Sequence, residues 1–363
     1  MNTAPTVVVG LSGGVDSAMA ALLLQQQGYA VTGLFMKNWD EDDGSEYCTA
    51  VADLADAQQV AEQLGIELLT ANFAAEYWDN VFEAFLAEYA AGRTPNPDVL
   101  CNREIKFRYF ADYASALGAD FIATGHYARI QHDAAGPRLL QALDRNKDQT
   151  YFLQSVQLAQ LGNTLFPLGA LQKAEVRQQA RAAGFGNHAK KDSTGICFIG
   201  ERRFRDFLSR YLPAKEGRIC DVEGRTLGQH PGTHLFTLGQ RQGLRVGGVQ
   251  GQAEAPWYVL AKDRCRNQLT VTQDLAALDS HWLAADELNW LLPTAPALPL
   301  RCRARIRHRQ ALQECELYAR ADGRIGVRFE QPQRAVNPGQ YVCLYQDELC
   351  LGGGRIVANG RAR

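Results

Sequence analysis

The densest chemistry in the chain lies near its start, in Gly10, Leu11, Ser12, Gly13, Gly14, Val15, Asp16 and Ser17. Glycines let the backbone approach a ligand closely, and a helix beginning behind them offers unpaired N–H groups. Together they make a seat for phosphates. The loop that ends in Gly-Lys-Ser/Thr needs a lysine that is absent here. The dinucleotide fingerprint Gly-x-Gly-x-x-Gly does not fit the spacing either. The plainer alternative is an ordinary strand-to-helix turn.

Further candidates follow along the chain. Pro95 and Pro97 forbid helix up to Pro97, so Asp98 falls at an N-cap or first turn and Cys101 in the first turn. There the helix dipole, Arg103 and Lys106 favour a thiolate. A small core cysteine with Asp98 as a cap fits the same pattern. Gly125 and His126 end a strand, where open α/β sheets hold ligands; His126 also fits a surface turn. Lys147, Asp148 and Gln149 read as a polar loop. Cys197 lies among Lys190, Lys191, Arg202, Arg203 and Arg205, a setting for an accessible, anionic thiol. Ile196 and Phe198 on either side also allow a buried cysteine. From Arg301 to Arg309 the chain alternates, placing five arginines on one strand face and Cys302, Ala304, Ile306 and His308 on the other. Such a face suits phosphate-backbone contact, in preference to a solvated face opposite carboxylates.

The elements that must position these residues are legible from pattern. Val7–Val9 feeds the glycine turn, and a helix over 18–27 stops at Gly28. Strands over 30–36, 66–70 and 119–124 alternate with helices over 49–64 and 76–91, which gives an α/β fold with a doubly wound parallel sheet. A hairpin spans 129–143, turning at Ala135-Gly136-Pro137, and helices follow near 154–160 and 172–183. From about Gly217, glycine turns and short β-branched runs indicate small β domains. Residues 291–299, with three prolines, read as a linker or edge segment. The division is 1–205, 206–280 and 281–363: a nucleotide domain, a central β-rich domain and a C-terminal β-barrel.

A chain of 363 residues exceeds one average domain. Its net charge of −2 gives no global sign of nucleic-acid binding, so a polyanion would need a local basic surface. The nine cysteines are scattered without a Cys-x-x-Cys pair, which argues against a disulfide framework and a structural zinc. No metal site is expected. No signal peptide or membrane-length apolar run is read, so the expectation is a cytoplasmic protein without a membrane partner.

Ser12-Gly13-Gly14-Val15-Asp16-Ser17 resembles the PP-loop of ATP pyrophosphatases, which cleave ATP between the α and β phosphates. With Asn96-Pro97-Asp98, Cys101-Asn102, Thr124-Gly125-His126-Tyr127, Lys147-Asp148-Gln149, Ser193 to Gly200, Asn337-Pro338-Gly339-Gln340 and Cys350 to Gly354, the whole chain resembles the bacterial tRNA-specific 2-thiouridylases. At Arg307-His308 it departs from them, since the family has an aromatic partner beside the arginine.

The resemblance implies adenylation of O2 of the wobble uridine in the tRNAs for Lys, Glu and Gln with Mg-ATP. Sulfur then displaces AMP. It implies ATP binding by Gly10 to Ser17, Met36 and Gly125. It implies tRNA contacts at Asn96, Pro97, Asp98, His126, Lys147, Asp148, Gln149, Arg307, His308 and Gln340. Cys197 would carry a persulfide loaded by a cysteine desulfurase or relay proteins. Cys101 would release the sulfur and leave a Cys101–Cys197 disulfide, with Asp98 as general acid/base. This chemistry suits the residue types: adenylation makes a poor oxygen leaving group a good one, and thiolates attack sulfur well. Such a base is usually extruded from its stack to be reached. The rivals are a PP-loop synthetase adenylating another substrate, an iron–sulfur thiolase with Asp98, Cys101 and Cys197 as ligands, and a non-enzymatic RNA-binding protein.

Overall fold

The structure is a computed structural model and describes residues 4–40, 50–191, 204–247 and 255–361. Cys197 and its Asp192–Gly200 motif lie outside the described residues, as do Arg202 and Arg203.

Four strands open the chain: β1 (Thr6–Gly10), β2 (Ala30–Lys37), β3 (Leu68–Asn72) and β4 (Phe121–Ala123). A hairpin of β5 (Ala128–Asp133) and β6 (Gly136–Gln141) follows, then β7 (Thr164–Leu165). The first sheet has the order β3-β2-β1-β4-β7, and its strands pair in parallel. Val7 and Val9 point into one core with Ala20, Leu24 and Ala57. Val8 points into the other with Phe82, Ile105 and Phe110. Burial on both faces is why β1 reads as an unbroken apolar run.

Helix α1 (Val15–Gln26) begins three residues before the expected start, because Gly14 takes the extended N-cap conformation. Asp16 and Ser17 therefore lie in its first turn. Helix α2 (Ala50–Leu64) packs on the α1 side. On the opposite side lie two longer helical runs, α3 over residues 74–90 and α4 over 97–116, both with π-wound stretches. The helix expected over 154–160 is instead two short ones, α5 (Thr150–Leu153) and α6 (Leu158–Leu161). Extended Gln157 breaks the run and caps α6 in a capping box with Gln160. The hairpin turns on Ala134 and Ala135, not on Gly136-Pro137. Asp133 Oδ1 accepts the Ala135 N–H at 2.8 Å and draws the turn back. Helix α7 (Lys173–Ala182) completes this sheet's cover, and α8 (Phe204–Tyr211) sends Phe207 and Leu208 into the same core as Trp39 and Phe82.

The central unit is a four-stranded sheet of β8 (Gly217–Cys220), β9 (Thr226–His230), β10 (Tyr258–Asp263) and β11 (Gln268–Thr272), in the order β10-β11-β8-β9. The last unit is a closed barrel of β12 (Asp279–Trp290), β13 (Leu300–Arg305), β14 (Gln313–Ala319), β15 (Ile325–Arg334), β16 (Tyr341–Gln346) and β17 (Leu349–Gly360). The β12–β17 pairing closes it, and the β5–β6 hairpin of the first unit extends its sheet through β17. Residues 291–299 are thus a linker within the barrel unit, joining β12 to β13, and Leu291 is buried there.

The arginine strand needs correction. β13 ends at Arg305, so the five arginines do not share one face. Cys302 and Ala304 do point into the barrel core. Outside, Arg301 and Arg303 stand directly opposite Glu316 and Glu314 of β14. Arg305 is buried beneath the first unit. The carboxylate-facing alternative describes Arg301 and Arg303.

Candidate active site

The strand order reverses between β1 and β4, and the crevice at that switch point is where an open α/β sheet receives a ligand. The loop Gly10–Ser17 leaves the end of β1 there, and Gly125 leaves the end of β4. Gly13 has φ +73°, and a Cβ on it would stand 2.3 Å from the Asp53 carbonyl oxygen, so glycine is required. The Ser12 N–H donates to Ser17 Oγ at 3.1 Å, and Ser17 Oγ donates to the Gly14 carbonyl at 3.0 Å. Among the described residues no side chain caps α1, which leaves its first-turn N–H groups open to the crevice. A Cβ on Gly125 would lie 2.7 Å from the Asp16 carbonyl carbon and 2.8 Å from Ser17 N. Met36 lies against Gly10, its Cε 3.2 Å from where a Cβ would be. The loop, Met36 and Gly125 therefore meet at one place.

Two lysines that the sequence did not single out for this loop hold it. Lys173 Nζ donates to both oxygens of Asp16, at 2.7 and 2.8 Å, and Tyr127 OH donates to Asp16 at 2.9 Å. Lys190, read from sequence only as part of the basic setting of Cys197, pairs with Asp53 at 2.8 Å and with Asp56. Asn187 Nδ2 donates to the Gly13 carbonyl at 3.1 Å. Spacing carries no signal for partners more than a hundred residues apart.

The second group of candidates sits on α4. Asn96 is its N-cap, Pro97 its first residue, and Asp98 lies in the first turn. Cys101 lies a full turn further in, past the unpaired N–H groups, which corrects its expected first-turn position. Its side chain is fully buried beside Val99, Ile105 and Phe107. His126 is buried too, between Phe107 and Phe166, with its Nδ1 2.7 Å from Thr124 Oγ1. Burial, helped by the charge of Lys106, holds its pKa well below the ordinary value, so the ring is neutral near pH 7.

The third group joins the first unit to the barrel. Gln149 and Tyr127 exchange hydrogen bonds at 2.8 and 2.9 Å. Asp148 is buried, accepting from Ala142 N at 2.9 Å and Thr150 Oγ1 at 2.8 Å, and it pairs with Arg305. His308 Nε2 lies 2.9 Å from the Asp148 carbonyl, and its ring packs on Phe152. Arg307 Nη2 donates to the carbonyls of Arg334 and Ala335 at 2.6 and 2.7 Å. Lys147 adjoins this cluster and is half-buried. The turn Asn337–Gln340 works as a clamp. Gln340 Nε2 donates to the carbonyls of Thr94 and Pro95, at 2.8 and 3.1 Å, immediately before Asn96. Asn337 Oδ1 accepts from Leu238 N at 3.0 Å, so one turn ties all three units together.

A glycine loop, an uncapped helix and a close-packed Gly125 at the switch point define an α/β nucleotide-binding domain. Residues 5–201 match the family described as the tRNA methyl transferase HUP domain. Residues 205–273 match the PRC-barrel domain of the same name, and 280–356 the aminomethyltransferase beta-barrel domain. The chain is 60% identical to the tRNA-specific 2-thiouridylase MnmA of Methylococcus capsulatus, over 97% of this chain and 96% of that one. It is 58% identical to the protein so named in a Marinomonas species, over 96% and 90%. A 4-thiouridine synthetase solved with RNA and ATP is 16% identical, covers 58% of this chain and 50% of its own, and has a TM-score of 0.36, too slight a likeness to bear on function. The chain belongs to the tRNA-specific 2-thiouridylase family.

Proposed function

We propose that this protein 2-thiolates the wobble uridine of the tRNAs for Lys, Glu and Gln, at the expense of ATP. The near full-length relationship to 2-thiouridylases carries the reading, and an intact phosphate loop supports it. A methyl transferase, which the description of the matching HUP family names, has no need of such a loop.

Uridine O2 attacks the α-phosphorus, the bond to the β-phosphate breaks, and pyrophosphate leaves. The N–H groups of α1 and the backbone of Gly10–Ser17 receive the phosphates, with Met36 and Gly125 shaping the nucleotide pocket. Magnesium enters as the nucleotide's counter-ion. Asp16, a hard oxygen donor on the loop, would hold the ion on exchanging one of its Lys173 contacts for it. Bound there, the ion would supply positive charge to the phosphates.

The persulfide sulfur of Cys197 then attacks C2 and displaces AMP. The Cys101 thiolate attacks Cys197 Sγ, freeing 2-thiouridine and leaving a Cys101–Cys197 disulfide for an external thiol to reduce. Burial of Cys101 means that its surroundings must open in that step. Asp98 serves as general acid/base at the base, beside Asn96 and Pro97. His126, Lys147 to Gln149, Arg307, His308 and Gln340 form the tRNA side of the site. With His126 and Gln340 engaged internally, their contribution is to position the loops that meet the RNA. A cysteine desulfurase, directly or through relay proteins, supplies the sulfur. No helix among the described residues is long and apolar enough to cross a membrane.

Cys101→Ser and Cys197→Ser test the assignment. Thiolation lost in both, with tRNA binding kept, supports it; unchanged thiolation in both refutes it.

A further inference from the structure

A cleft of about 230 Å³ lies between the end of α3 and the central unit, away from the phosphate loop. Gly92, Lys215, Gly232, His234, Arg264 and Asn267 line much of it, and among the described residues none that lines it is acidic. Among the described residues, neither Lys215 nor Arg264 makes an ion pair. This contrasts with the barrel arginines, where Arg305 sits on Asp148 and Arg355 on Glu88 and Asp286. Two exposed cations lining one cleft, with no carboxylate among its described lining residues, attract an anion.

The groups are held in place. Asn267 Nδ2 donates to the carbonyls of Lys215 and Glu216, at 3.2 and 2.7 Å, which pins the turn carrying Lys215. The Arg264 stem lies on Gly92, whose φ is +76°; a Cβ there would stand 2.6 Å from Arg264 Cδ. His234 Nε2 is buried with no hydrogen-bond partner. The His234 ring lines the cleft, so an ion bound there is read by the imidazole resonance.

The position of the cleft identifies the anion. Gly92 is six residues before Asp98, so the cleft lies within about 20 Å of the proposed base pocket along the chain. The same segment is fixed to the central unit, Thr94 Oγ1 lying 3.3 Å from Thr237 Oγ1. RNA entering the base pocket carries phosphates on either side of the extruded nucleotide.

We propose that Lys215 and Arg264 seat a backbone phosphodiester of the tRNA, making the central unit part of the RNA grip. This rests on the tRNA reading above. The test is tRNA affinity against salt for wild type, Lys215→Ala/Arg264→Ala and Arg264→Lys, with ATP affinity and thermal midpoint as folding controls. One lost phosphate contact weakens binding about five- to tenfold at low salt and flattens the slope of log K against log[salt] by about 0.7 to 0.9. Arg264→Lys keeps most of both. An unchanged affinity and slope in the double variant, beside a wild type that binds tRNA, overturns this proposal alone. A wild type that binds no tRNA overturns the functional reading and this proposal with it. Inorganic phosphate that moves the His234 imidazole resonance, with an unchanged tRNA slope in the double variant, assigns the cleft to the free ion and overturns the RNA reading.

Discussion

Gly125→Ala isolates the geometry of the nucleotide pocket. The added Cβ would meet backbone at 2.7 and 2.8 Å, from Asp16 and Ser17 in the first turn of α1. Reaching an ordinary contact of 3.4 Å requires a shift of at least 0.7 Å. Backbone in a packed helix cannot yield as a flexible side-chain tip does, so the first turn of α1 moves with its N–H groups. Overpacking of this kind costs about 1–3 kcal/mol of stability. A 1 Å displacement at a reacting centre costs on the order of a hundredfold in rate. We expect ATP affinity to fall more than about tenfold and pyrophosphate release by about 10²-fold, with tRNA affinity within about twofold of wild type. Equilibrium nucleotide binding and a coupled pyrophosphate assay read both quantities. Gly14→Ala is the companion: its Cβ would meet only Ser12 Oγ at 3.5 Å, so it folds without strain, and any lost ATP affinity reports close approach by the ligand itself. Wild-type ATP affinity and turnover in Gly125→Ala would refute the claim that this crevice holds the nucleotide.

Other expectations follow from the same structure. Lys173→Met removes the ammonium from both Asp16 oxygens and leaves the Tyr127 hydrogen bond, and pyrophosphate release at saturating ATP should fall at least about tenfold while tRNA affinity holds; unchanged release would remove Lys173 from the account. Arg305→Met strands the buried Asp148 carboxylate and should cost about 3–5 kcal/mol in denaturant unfolding, with Asp148→Asn/Arg305→Met recovering part of it. Gln340→Ala removes two hydrogen bonds from the segment before Asn96, about 1–2 kcal/mol, and should raise the KM for tRNA with ATP affinity unchanged. Burial lowers the pKa of His126, and to a lesser degree those of His230 and His308. The unfolded chain therefore takes up protons that the folded one refuses: stability is full above about pH 6.5 and declines as pH falls below it. The fall in thermal midpoint from pH 7 to 5.5 should be smaller in His126→Phe; an equal fall would exclude His126 as a source.

What was legible in the sequence follows from how local each constraint is. The phosphate loop could be read because strand, glycines and helix start are contiguous, and their residue types are dictated by one ligand. The parallel sheet could be read because β1 and β2 are buried on both faces. Pairings across the chain were not legible: nothing near Lys173 announces Asp16, and nothing near Gln340 announces Thr94. The alternation from Arg301 correctly put Cys302 and Ala304 inside the barrel. It could not say that glutamates face Arg301 and Arg303, or that the first unit covers Arg305. Asp148 reads only as part of a polar loop because its cover, β13, arrives more than 150 residues later in the chain. Cys101 was ambiguous for a related reason. A helix start can be placed from Pro97, but which side of the helix faces the core depends on strands elsewhere.

The most direct test of the central claim combines purified protein with Mg-ATP, a persulfide source and unmodified tRNA bearing a wobble uridine. Pyrophosphate is measured, and the digested tRNA is examined by mass spectrometry. The account predicts pyrophosphate and 2-thiouridine together, both dependent on tRNA, with the thiolated nucleoside absent in Cys197→Ser. Pyrophosphate released without tRNA, and no thiolated nucleoside, would contradict it and assign the phosphate loop to adenylation of another substrate.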